Sequence, residues 1–189
     1  MRLAVALIVV LALFVTGCGR KTVKVVDPNT SIHLSGRWND ADSKGVSSEM
    51  IESCLKDKWI NDFRASSGRK PRVRVSLIQN KSNEEIETGI FTGDLERALI
   101  TSGKVSVVAT RAEAEIQRAE RADIQENSSK DTAPKSFQET APDFLLQGAI
   151  KVQHDQEDGK EVKFYQVDLL LIDVTTNDKV WPGSKEVKK

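Results

Sequence analysis

Apolar and polar positions divide the chain into an unbroken apolar run, a polar stretch and a long region of regular alternation. The run spans Leu3 to Val15, behind a basic start at Arg2. Residues 19–34 are polar and β-leaning without strong periodicity, the pattern of a tether. From Val46 the apolar residues recur at Met50, Ile51, Cys54, Leu55, Trp59 and Phe63. This helical spacing predicts one amphipathic helix of about five turns. Ser43 or Ser47 is placed to cap its start. Ser66-Ser67-Gly68, with Pro71 beyond, closes it. Cys54 falls on the apolar face, which predicts a buried, inert thiol.

"RVRVSLI" (72–78) alternates strictly and predicts a half-buried strand with Val73, Val75 and Leu77 on the inner face. "QNKSNEE" is a polar turn. Ile86, Ile90, Phe91, Leu95, Ala98 and Leu99 mark a second helix, closed by Gly103. "VSVV" (105–108) reads as a short buried strand. Thr110 and Glu113 form a capping-box pattern and open a third helix through about Glu126. That helix is dominated by charge, with few apolar residues beyond Ile116, Ala119 and Ile124, so it is expected on the surface. Between Pro134 and Pro142 only a short helix fits.

The last third predicts a strand meander. "FLLQGAIKV" (144–152) is one strand, Asp158-Gly159 is a turn signal, and "VKFYQVDLLLIDV" (162–174) is a long second strand. The second is apolar on both faces near its end, which places it inside its sheet. "KVW" starts a final edge strand, where Pro182 is tolerated. The strand-helix-strand unit from Arg72 to Val108 predicts a parallel pair with a right-handed crossover. The fold class is therefore α/β in the α+β sense: a mixed sheet of four or five strands packed with three or four helices.

The first apolar run needs its own explanation. It is shorter than the roughly 20 residues that cross a bilayer, and it matches the apolar region of a secretory signal. It ends in Val15-Thr16-Gly17-Cys18, which resembles the bacterial lipobox. In that signal the thiol receives a diacylglycerol, cleavage falls just before the cysteine, and the new amino group is acylated. Several acyl chains give a stable anchor, at about 0.8 kcal/mol per buried CH₂. Gly19 follows where an aspartate would resemble an inner-membrane retention signal. Residues 1–17 are thus expected to be a signal peptide, 18–34 the lipidated cysteine and its tether, and 35–189 one domain.

Charge narrows the partners. The 28 basic and 28 acidic residues cancel, and losing residues 1–17 removes only Arg2, leaving about −1. There is no basic excess to hold a nucleic-acid backbone. Cys54 is the only cysteine besides Cys18, so no internal disulfide is expected and stability must come from burial.

Candidate chemistry is sparse. His33 and His154 have no cysteine or histidine at metal-ligand spacing. The chain contains no G-x-S-x-G elbow or phosphate-binding glycine loop. Asp40 and Asp42 admit two readings: a calcium site lacking the usual loop length and glycine, or acids favoured by a helix N-terminus. Arg37, Trp38 and Asn39 also admit two. Trp38 and Arg37 could anchor a partner, or Trp38 could pack over the first helix while Asn39 or Asp40 caps it. No catalytic residues and no metal ligands are assigned.

"LSGRWNDADSKGVSSEMI" (34–51) and "VSLIQNKSNEEIETGIFTGDLERALITSGKVSVV" (75–108) resemble the LpoB family, lipoprotein activators of bifunctional penicillin-binding proteins. The likeness continues through "PDFLLQGAIKVQ" and "YQVDLLLIDVTTNDKVW". It implies a domain similar to the amino-terminal domain of TolB, anchored to the outer membrane and facing the periplasm. It implies a non-enzyme that docks on a peptidoglycan synthase, a bifunctional penicillin-binding protein, and activates it. No small-molecule substrate is implied, and no cofactor beyond the diacylglycerol and N-acyl lipid on Cys18. Enterobacterial members carry a long, Pro-rich tether, whereas residues 19–34 extend at most about 55 Å. A structural adaptor in an envelope assembly or secretion complex is the alternative of a different class.

Overall fold

The computed structural model describes residues 36–129, 131–134, 139–157 and 160–189. Cys18, His33, the tether and the Asp158-Gly159 turn lie outside them. Four helices and five strands occur among the described residues: α1 (Asp40–Cys54), α2 (Trp59–Ser67), β1 (Arg72–Asn80), α3 (Thr88–Ser102), β2 (Ser106–Val107), α4 (Arg111–Asn127), β3 (Phe144–Glu157), β4 (Lys160–Asp173) and β5 (Lys179–Lys188).

The first predicted helix is two helices. Its start is set by Asn39, whose Oδ1 accepts from Ala41 N at 3.0 Å and Asp42 N at 3.1 Å, while Asp42 Oδ2 accepts from Asn39 N at 3.0 Å. This reciprocal box satisfies donors the helix leaves open. Ser43 and Ser47, expected as caps, are instead buried inside α1. The break follows Cys54. Lys56 N reaches Ser53 O and Asp57 N reaches Cys54 O, three residues back rather than four. Trp59 Nε1 then donates to the Cys54 carbonyl at 2.8 Å. The apolar spacing runs through the break because Cys54 and Trp59 both stay in the core. Gly68 and Gly103 close α2 and α3 at φ of +69° and +64°, a backbone state that favours glycine.

The sheet order is β2-β1-β3-β4-β5. β1 is parallel to β2 and β3, and β3-β4-β5 form an antiparallel meander. The mixed α+β architecture and the parallel β1-β2 pair are as expected from the sequence. β4 is interior, with β3 in the middle position. β5 is the edge strand, and Pro182 sits there opposite Leu170. The predicted strand "VSVV" shrinks to Ser106–Val107, with Val105 buried before it. Strict alternation in β1 fails at one place. A register shift between Val75 and Ile78 turns Leu77 out, 69% exposed, and Ile78 in. Such a bulge inserts one residue and reverses the inward face beyond it.

The core lies between the sheet and the helices α1, α2 and α3. Phe91, Leu95 and Leu99 of α3 and Ile51 of α1 meet Val73, Val75, Leu146, Ile150, Tyr165, Val167, Leu169 and Leu171. Each such side chain contributes about 1.5–3 kcal/mol by burial. Trp59 and Phe63 of α2 set their rings against Phe144 at 4.9 and 5.3 Å between centroids. Cys54 is 1% exposed, and burial pushes its thiol up to about 12, so it stays protonated and inert. α4 begins at the expected capping box of Thr110 and Glu113. Ala114 is its one buried residue, and Ile116 stands in solvent. After α4, residues 139–142 are irregular.

Candidate interaction site

Trp38 sits where three elements converge. Its ring meets Phe91 edge-on at 6.0 Å and Tyr165 at 5.7 Å with an interplanar angle of 52°. Both partners are fully buried, while Trp38 itself is half-buried. Asn39 is committed to the cap of α1. Arg37, between Gly36 and Trp38, is exposed. Asp40 pairs with Lys44 at 3.6 Å, and Asp42 takes Lys189 Nζ at 2.8 Å in addition to its capping bond. Both acids therefore act as first-turn helix acids.

Beneath Trp38 lies a polar cluster. The Tyr165 hydroxyl donates to Glu84 Oε2 at 2.5 Å and also lies 3.3 Å from the Gly36 carbonyl. Lys163 Nζ donates to Glu84 Oε1 at 2.7 Å. His154 lies 3.2 Å from both Glu161 and Asn83, and 3.9 Å from Glu84. Burial opposes a charge on Glu84. Lys163, the Tyr165 hydroxyl and His154 outweigh burial and hold its carboxyl below the ordinary carboxylate range. Burial and the neighbouring Glu84 charge push the Tyr165 hydroxyl up, so it remains a neutral donor. The cluster pins Gly36 and Trp38 to β4. It has no nucleophile beside a base, and its chemistry is that of a clamp.

Tyr165 was not singled out by the sequence pattern, and periodicity could not have named its partner. Glu84 lies in the polar turn, 81 residues away along the chain. The usable signal was the lone tyrosine of the chain on a core face, since a buried phenol seeks an acceptor.

A second feature is a groove beside β1. It has a volume of about 930 Å³ and runs along Arg74–Ile78, between the first turns of α3 and α4. Glu87, Glu96, Glu113, Arg74 and Arg111 line it. Among the described residues no cluster of histidine, cysteine or carboxylate side chains could hold a metal ion. Nor, among them, is any helix long and apolar enough to cross a membrane.

Residues 42–187 match the model of the family described as peptidoglycan-synthase activator LpoB. The chain belongs to the LpoB family. The match begins at the capping residue Asp42 and ends in β5, so it takes in every helix and strand of the domain except the terminal residues of α1 and β5. Arg37, Trp38 and Asn39 lie just before it. Among solved structures, the LpoB C-terminal domain from Escherichia coli is 17% identical with a TM-score of 0.48, covering 78% of this chain and 99% of that one. The Salmonella enterica LpoB C-terminal domain is 16% identical with a TM-score of 0.46 over the same shares. Lipoprotein GNA1162 from Neisseria meningitidis is 17% identical, with a TM-score of 0.39, covering 63% of this chain and 83% of that one. No curated protein sequence matches the chain.

Proposed function

We propose that this LpoB-family chain is a non-catalytic outer-membrane lipoprotein, anchored through acylated Cys18, that binds a bifunctional penicillin-binding protein and activates peptidoglycan synthesis. The family match over residues 42–187 carries this reading. The signal pattern ending at Cys18 supplies the address. Arg37 and the exposed part of Trp38 offer a contact beside the tether. The clamp under them holds that contact in one geometry, which lowers the ordering cost of binding.

The test is glycan polymerisation by a bifunctional penicillin-binding protein from the same organism, with and without the purified lipoprotein. The expected result is faster polymerisation together with a measurable complex. Absence of both would sink the reading. The short tether supports the adaptor reading, because about 55 Å of reach suits a partner near the outer membrane. Co-purification from detergent-solubilised membranes separates the two. Synthases favour activation, and outer-membrane channel proteins favour the adaptor.

A further inference from the structure

The two edges of the sheet are built differently. β5 closes one edge and carries Lys179, Pro182, Lys185 and Lys188. Lysine and proline discourage a further strand from pairing there. At the other edge β2 pairs only with Arg72 and Val73. Among the described residues, no strand lies beside β1 from Arg74 to Asn80 on that side. The chain leaves β2 through Val108 and Ala109 and turns into α4 at Thr110. What remains beside β1 is the groove described above, walled by the first turns of α3 and α4. Arg74–Ile78 at about 3.3 Å per residue give roughly 16 Å of strand edge. Leu77, turned out by the bulge, lines this groove.

The charge at the groove is uneven. Glu87 accepts from Gly89 N, Glu113 caps α4, and Arg74 Nε donates to the Ala109 carbonyl at 2.8 Å. Glu96 has no hydrogen bond or ion pair of its own among the described residues. Burial and the nearby Glu113 charge both raise its pKa, and no cation offsets them at Glu96, although Arg111 also lines the groove. Two copies pairing through this edge would bring their Glu96 and Glu113 side chains into one groove, a like-charge arrangement that disfavours self-association.

We propose that the open edge of β1 is a peptide-docking site, at which an extended segment of a partner protein carrying lysine or arginine adds a strand beside Arg74–Ile78 and sets its cation against Glu96 and Glu113. Main-chain hydrogen bonds supply the affinity, and Leu77 with the two carboxylates supplies the selection. This goes beyond the synthase-activator reading, since it fixes a mode of docking whatever protein contributes the segment.

The test uses the full chain in detergent and a seven-residue peptide alternating lysine and valine. The expected result is amide-exchange protection and peptide cross-peaks by NMR at Val75–Ile78. Glu96→Gln should weaken binding about two- to fivefold, the effect of one partly screened ion pair. The same peptide with glutamate for lysine should not bind. A peptide N-methylated at alternate residues keeps its charge but cannot form the ladder; equal binding by it overturns strand addition. No protection of β1 at millimolar peptide also overturns it. So does unchanged affinity in Glu96→Gln, or self-association of the chain that protects the same amides.

Discussion

The Tyr165 hydroxyl joins a turn, a strand and the start of the domain through one proton. Tyr165→Phe keeps the ring stack with Trp38 but leaves Glu84 with Lys163 as its main partner. Stability should fall by about 1–3 kcal/mol, read by urea unfolding. Acid provides a second test. Glu84 titrates below its ordinary value, as described. Asp143 does too, held down by the Arg69 guanidinium, whose two nitrogens donate at 2.7 Å, and by Arg72 N. For Asp168, burial opposes the charge, but Lys151, Gln166 and Ser184 prevail and lower it. With folded values depressed, the unfolded chain binds more protons at low pH, so stability rises with pH there. The contribution is complete above the unfolded values of about 4–4.5 and is lost as pH falls through the folded ones. Urea midpoints should therefore hold from pH 6 to about pH 5 and drop from there to about pH 3, and Glu84→Gln should flatten the drop. An unchanged slope in that variant would remove Glu84 from the account.

Burial, not capping, separates the helices that belong to the core from the one that does not. Asn39→Ala removes an acceptor shared by two backbone donors and should cost about 1 kcal/mol of global stability. α4 has an equally good capping box but buries only Ala114. Thr110→Ala should therefore fray α4 without shifting the unfolding midpoint of the domain. Hydrogen exchange should show α4 amides opening well before those of α1 and α3. Periodicity made α3, α4 and the meander legible in the sequence. It concealed the break between α1 and α2, because the apolar stripe continues across the turn while the backbone does not. It also concealed the bulge in β1. Alternation in "RVRVSLI" is unbroken in sequence, and the pairing with β3 decides which face Leu77 takes. The clamp was illegible for a third reason: Glu84 and Tyr165 meet only through the tertiary fold, and nothing local marks them as partners.

At the scale of the whole molecule, the proposed anchor and the proposed docking edge set different constraints. Cys18 limits distance: the tether reaches at most about 55 Å, so an inner-membrane partner must extend most of the way outward. Cys18→Ser should move the protein from the membrane fraction to the soluble periplasmic fraction and, if reach matters, abolish function in cells while leaving the purified domain able to bind. Retention in the membrane fraction would count against lipidation at this residue. The β1 edge limits orientation, since an added strand fixes the partner's chain direction relative to the sheet.

The clamp at Gly36 and Trp38 also has a mechanical meaning. Were Cys18 the anchor proposed above, a pull on it would reach the described chain at Gly36, beside the Tyr165 hydroxyl, the Trp38 ring and the cap of α1. The ring contacts lie against Phe91 of α3 and Tyr165 of β4, both fully buried. A pull delivered at β5 would instead peel the edge strand open one hydrogen bond at a time. On the proposed anchoring, the tether would thus join the domain beside buried contacts of α3 and β4 rather than at a free strand end.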